Sequence, residues 1–119
     1  MKGYEKLDVY NRAFEMALKL HEFSKTLPKI EQYSLADQIR RSSMSICANI
    51  AEGHGKSHFS VPEFRRFLII ACGSCEEIKV WLNFCARLNY IDSERFEAWH
   101  EEYDQIAKML NGLIRKISS

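Results

Sequence analysis

The sequence predicts an all-α protein, an up-down-up-down antiparallel four-helix bundle. Three observations carry that prediction. A 3.6-residue apolar period recurs four times, while strand-like alternation never persists for more than a few residues. Only five Gly and two Pro occur, and Pro28, Gly53, Gly55 and Pro62 sit where helices would end or begin. The connections after the first and third helices are short, which makes consecutive helices antiparallel neighbours. A chain of 119 residues, 46% hydrophobic and 28% charged, has the size and composition of one soluble domain, expected over 1–119.

The four helices are expected over about 8–26, 35–53, 61–88 and 93–117. The first would start with Asp8 as N-cap and Leu7 as a staple residue. It would present Tyr10, Ala13, Phe14, Ala17, Leu18 and His21 on one face and stop before Pro28. In the connection that follows, Ile30 and Tyr33 are expected to pack across the end of the bundle. Ser34 and Asp37 resemble a capping box for the second helix, which Gly53 and Gly55 would end.

Ser60-Val61-Pro62-Glu63 is a clearer start signal for the third helix. That helix carries a first stripe of Phe64, Leu68, Ala71, Cys75, Ile78, Leu82 and Cys85. Beside it runs a second stripe of Phe67, Ile70, Trp81, Phe84 and Leu88. Two stripes suggest a second contact surface, read here as a subunit interface; the alternative is that this helix is the most central of the four. Asn89 suits the end of the helix, and Asp92 or Ser93 can cap the next. The fourth helix holds a heptad seam of Phe96, Trp99, Tyr103, Ile106, Leu110, Leu113 and Ile117.

The stretch Gln38–Gly55, Q-I-R-R-S-S-M-S-I-C-A-N-I-A-E-G-H-G, has an unusual make-up. Its apolar stripe, Leu35, Ile39, Ile46 and Ile50, is flanked by the small residues Ala36, Ser42, Ser43, Ala48 and Ala51. Alongside runs a polar row of Gln38, Arg41, Ser45, Asn49 and Glu52. The row reads as a hydrogen-bonded spine that fixes the second helix against its neighbours.

Charge and motifs exclude several functions. Seventeen Lys and Arg against sixteen Asp and Glu leave a net charge of +1, without the basic excess of many nucleic-acid-binding domains. No segment is apolar and long enough to be a signal peptide or a membrane span, so a cytoplasmic protein with Cys47, Cys72, Cys75 and Cys85 reduced is expected. Cys72-Gly73-Ser74-Cys75 has the C-x-x-C spacing but lies within a helical pattern rather than at a helix N-terminus, so it reads as buried small residues. His54 and His58 have helical ligand spacing with no third ligand to complete a metal site. No phosphate-binding loop, nucleophile elbow or metalloprotease pair is present. An enzyme, a cofactor and a small-molecule substrate are therefore not expected. Arg40, Arg41, Lys56, Arg65 and Arg66 form the one basic concentration, which could hold phosphates or could be ordinary solvated charge.

Q-I-R-R-S-S-M-S-I-C-A-N-I-A-E-G, then F-R-R-F-L-I-I-A-C-G-S-C-E-E and A-R-L-N-Y-I, resembles the bacterial four-helix bundle proteins named for the intervening sequences of 23S rRNA genes. L-D-V-Y-N-R-A-F-E and L-P-K-I-E-Q-Y-S-L extend the resemblance along the chain. The chain departs from the pattern at Ser42-Ser43, where small apolar residues are common, and at Asn89, where Gly is common. The resemblance implies a ring-like homopentamer. It also points to a relative, the accessory variability determinant of diversity-generating retroelements, which works with a reverse transcriptase and binds nucleic acid. That relative is strongly basic and this chain is near neutral. The resulting expectation is a non-enzymatic oligomeric scaffold for structured RNA or a nucleoprotein. Phe67, Ile70, Trp81 and Phe84 are its expected subunit interface, and a protein-only adaptor is the alternative.

Overall fold

A computed structural model describes residues 3–118; Met1, Lys2 and Ser119 of the expected 1–119 domain lie outside the described residues. Four long helices make a four-helix bundle: α1 (Asp8–Ser24), α2 (Leu35–Lys56), α3 (Val61–Arg87) and α4 (Ser93–Ser118). Among the described residues there is no strand. Helix α2 packs on α3, α3 on α4, and α1 on α2 and more sparsely on α4. The molecule measures 44 × 24 × 23 Å.

Local signals explain three of the helix ends. The Ser60 hydroxyl accepts the Glu63 amide at 3.2 Å and starts α3 as expected. Asn89 ends it with φ of 63°, a left-handed conformation that Asn tolerates and most residues do not. The Tyr90 amide then reaches back to the Cys85 carbonyl at 2.8 Å, satisfying a carbonyl of the last turn. Asp92 caps α4 by accepting the Arg95 amide at 2.8 Å, and its other oxygen takes the Arg95 guanidinium at 2.7 Å.

Other ends depart from expectation. Leu7, not Asp8, occupies the N-cap position of α1, with no side-chain cap bond. Ser34 occupies that of α2, but its hydroxyl bonds Glu31 at 2.9 Å instead of forming a capping box with Asp37. Most consequentially, Gly53 and Gly55 do not end α2, which continues to Lys56. Gly53 is buried because α3 lies against it: a Cβ there would stand 2.8 Å from Cβ of Phe67 and 3.3 Å from the Phe64 carbonyl oxygen.

The core follows the expected stripes on α2, α3 and the middle of α4, where Tyr103, Ile106 and Leu110 are fully buried. On α1 the buried face is rotated from the expected one. Ala13 and Ala17 of the expected face are buried, but Val9, Met16, Leu20 and Phe23, with Leu27 just beyond the helix, complete the inward side, while Phe14, Leu18 and His21 are exposed. Val9, Ala13, Met16, Leu20, Phe23 and Leu27 alternate four and three, a truer seam than the one expected. The connection after α1 also differs, since Ile30 and Tyr33 point to solvent. Polar groups tie it down instead: the Gln32 amide donates to the Ser24 and Leu27 carbonyls, both at 2.9 Å, and the Tyr90 hydroxyl to Glu31 at 2.9 Å.

Candidate nucleic-acid interface

The corner where α2 meets α3 gathers three of the five expected cations. Helix α2 runs past Gly53 to place Lys56 at its end, and α3 presents Arg65 and Arg66 in its first two turns. Both Lys56 and Arg66 lie against the Phe67 ring, with Lys56 Nζ 5.9 Å and Arg66 Cζ 4.7 Å from its centroid. Arg66 also holds Glu63, Nε to Oε2, at 3.1 Å, and that hydrogen bond keeps the Glu63 carboxyl below its usual range. Arg65 donates from Nε to the Ser118 hydroxyl at 2.9 Å, which joins the last turn of α4 to the corner. That turn carries Arg115 and Lys116, two cations at this end that reading the chain locally could not connect to Lys56.

Arg40 and Arg41 are not part of this cluster, contrary to expectation. They stand about 24 Å along α2 from Lys56, at 1.5 Å per residue. Arg40 is a structural clamp on the α1–α2 connection, donating to the Ser24 hydroxyl at 3.0 Å and the Gln32 carbonyl at 2.8 Å. Arg41 is exposed and lies 3.8 Å from Asp37.

The expected polar spine is only partly joined. The Asn49 amide donates to the Ser45 carbonyl at 2.8 Å and to its hydroxyl at 3.0 Å, and Ser74 of α3 donates to the same hydroxyl at 3.2 Å. Gln38, Arg41 and Glu52 are exposed and make no hydrogen bond to this pair among the described residues. A second link replaces them. The Ser42 hydroxyl donates to Glu77 and accepts the Trp81 indole N–H at 3.2 Å. Ser42 belongs to the small-residue flank and Trp81 to the apolar stripe, so neither was recognisable as a network member from spacing alone.

Of the expected interface residues, Phe67 is 8% exposed and packs within its own chain against Gly53, which leaves little of it for a partner subunit. Trp81 is half-buried and its indole bonds Ser42. Ile70 and Phe84 are exposed, as is Leu88. A second apolar surface is a groove of about 490 Å³ between α1 and α2, lined by Tyr10, Phe14, Leu18, Met44, Cys47 and Ala51. It exists because the α1 face was rotated, leaving Phe14 and Leu18 outside the core.

The thiols carry no sign of activation. Burial pushes Cys75 up to about 12 and Cys47 and Cys85 up to about 11. Cys72, half-buried, is raised by the same cause. The His54 and His58 rings meet edge to face at 6.4 Å, and His54 also packs edge to face on Phe64 at 5.9 Å.

Taken together, the described chain is a four-helix bundle with cations at one end and no helix long and apolar enough to cross a membrane. Its sequence matches the 23S rRNA-intervening sequence protein family over residues 5–112, and the chain belongs to that family. It is similar to a crystal structure of a protein of unknown function from the S23 ribosomal protein family of Bacteroides thetaiotaomicron VPI-5482. The two are 30% identical with a TM-score of 0.80, covering 90% of this chain and 95% of that one. No curated protein matches the sequence.

Proposed function

We propose that the protein is a non-enzymatic, self-assembling scaffold of the cytoplasm that binds structured RNA or a nucleoprotein at the α2–α3 corner. The observation that carries this reading is the gathering of Lys56, Arg65 and Arg66 there, with the last turn of α4 alongside. Cations held on a folded corner favour phosphate contacts that are independent of base sequence. The raised thiols argue against a dithiol enzyme, because the thiolate is the reactive species.

The subunit we propose is an up-down-up-down bundle. Ser42, early in α2, meets Glu77 and Trp81, late in α3, whereas Gly53 meets Phe64 and Phe67. Lys79 meets Asp104 and Arg65 meets Ser118 in the same crossed sense. Self-assembly is supported by two unlike apolar surfaces, the α1–α2 groove and the Ile70, Phe84 and Leu88 face of α3. Contact between unlike patches is head-to-tail, and such contacts close into rings when the rotation allows, in keeping with a homopentamer.

Light scattering with detection of co-purifying nucleic acid tests both halves. A mass of several subunits and salt-dependent RNA binding, weakened by Arg65→Ala with Arg66→Ala, are expected. A monomer would reject self-assembly, and no RNA binding at low salt would reject the RNA half. The groove favours one second reading, a protein-only adaptor, for which a partner retained after nuclease treatment would be the support.

A further inference from the structure

At the tip of the same corner, Phe59 is 89% exposed. The turn beneath it is fixed, since the Phe59 and Ser60 amides both donate to the Lys56 carbonyl at 2.9 Å. The phenyl ring itself is left in water without an aromatic partner among the described residues, forgoing the stabilisation that burial would bring. Ile30 and Tyr33 are comparably exposed in the connection that Arg40 clamps, but Arg40 is committed there to Ser24 and Gln32. At the α2–α3 corner the exposed ring lies in the turn between Lys56 and Arg65. Neither Lys56 nor Arg65 forms an ion pair among the described residues, whereas Arg66 is held by Glu63.

An exposed ring between cations that lack a carboxylate partner has the chemistry of a single-strand contact. Any base has a face that stacks on an aromatic ring, while the flanking phosphates take the cations. Paired bases are already stacked on one another, so such a ring recognises unpaired nucleotides in loops, bulges and ends. Resting on the RNA reading above, we propose that Phe59 is a stacking platform for one unpaired RNA base, with Lys56 and Arg65 holding the phosphates beside it. The ligand class is then RNA with unpaired residues rather than regular duplex.

The test is fluorescence anisotropy of the full chain with a labelled oligoadenylate of roughly ten nucleotides and a blunt duplex of the same length. Phe59→Leu keeps an apolar side chain and removes the ring; Phe59→Trp keeps a ring. The expected result is tighter binding of the single strand, weakened roughly tenfold by Phe59→Leu and preserved by Phe59→Trp. Lys56→Ala should weaken both RNAs and reduce the salt slope by about one. Unchanged single-strand binding by Phe59→Leu, or equal binding of duplex and single strand by the native chain, overturns the platform and leaves the RNA reading standing. Absence of binding to either RNA at low salt overturns both. Subunit mass is measured on the same samples, and a change in Phe59→Leu would assign the ring to assembly and also overturn the proposal.

Discussion

Gly53 and Phe67 stand so close that a single added carbon at Gly53 would lie 2.8 Å from the Phe67 Cβ. Both atoms are anchored to helix backbone, so neither can swing aside. In a helix, Gly→Ala ordinarily gains up to about 1 kcal/mol. Here overpacking opposes that gain at about 1–3 kcal/mol, and the clash wins. Gly53→Ala should therefore lower the melting temperature. Gly73 is also helical but has nothing within 4 Å of its would-be Cβ, so Gly73→Ala should raise it. Equal shifts in the two variants would refute the close approach.

Tyr103 is fully buried, and its hydroxyl is the one buried side-chain polar atom among the described residues without a hydrogen-bond partner. Desolvation holds its pKa well above 10. A buried, unmet hydroxyl costs about 1–3 kcal/mol. Tyr103→Phe removes it without changing the ring, and should leave the chain as stable or more stable in urea denaturation. A loss of more than about 1 kcal/mol would show that the hydroxyl has a partner.

The cysteines should react in the order of their burial. Cys72 is half-buried, whereas Cys75 and Cys85 are fully buried and Cys47 lies at the wall of the α1–α2 groove. Native alkylation read by mass spectrometry should label Cys72 first and slowly, and Cys75 only on unfolding. Immediate stoichiometric labelling of Cys72 and Cys75 together would contradict this packing and revive a redox reading.

Acid should loosen the α3–α4 seam. Lys79 donates to Asp104 at 2.8 Å and also pairs with Glu76 at 2.9 Å. That hydrogen bond to Lys79 lowers the Asp104 pKa below its ordinary 3.8. A depressed carboxyl contributes stability above its unfolded value and loses it as the pH falls through the folded one. The contribution is therefore intact at neutral pH and fades below about 3.8. Asp104 is partly exposed, so solvent screens the effect and keeps it small. Melting profiles should show Asp104→Asn flattening the acid limb, and parallel limbs for variant and native chain would count against the pair.

What the chain disclosed in advance was whatever depends on period and cap chemistry. The α3 stripe from Phe64 to Cys85 is buried as expected, because its three-four spacing is unbroken, whereas the stripe beside it is interrupted at Ser74 and Glu77. On α1 there were two candidate faces. Phe14 and Leu18 looked as apolar as Met16 and Leu20, and only packing against α2 and α4 decided between them. In the sequence Gly53 suggests backbone freedom, whereas its lack of a side chain is what the packing uses. Arg40 and Lys56 looked like members of one basic set because sequence lists charge without height along a helix. The Ser42–Glu77–Trp81 link was illegible for a similar reason, since it joins two helices whose rotations were not yet fixed.

The Gly53 contact also bears on how the corner would meet a ligand. Helices pressed together at a glycine leave little room for the end of α2 to move relative to the start of α3, and three residues of turn backbone are hydrogen-bonded to it. The backbone that carries Lys56, Phe59 and Arg65 is thus held in one arrangement. If the corner binds RNA as proposed, association there would lose little backbone entropy, and its affinity would depend on charge and stacking rather than on the cost of ordering a loop.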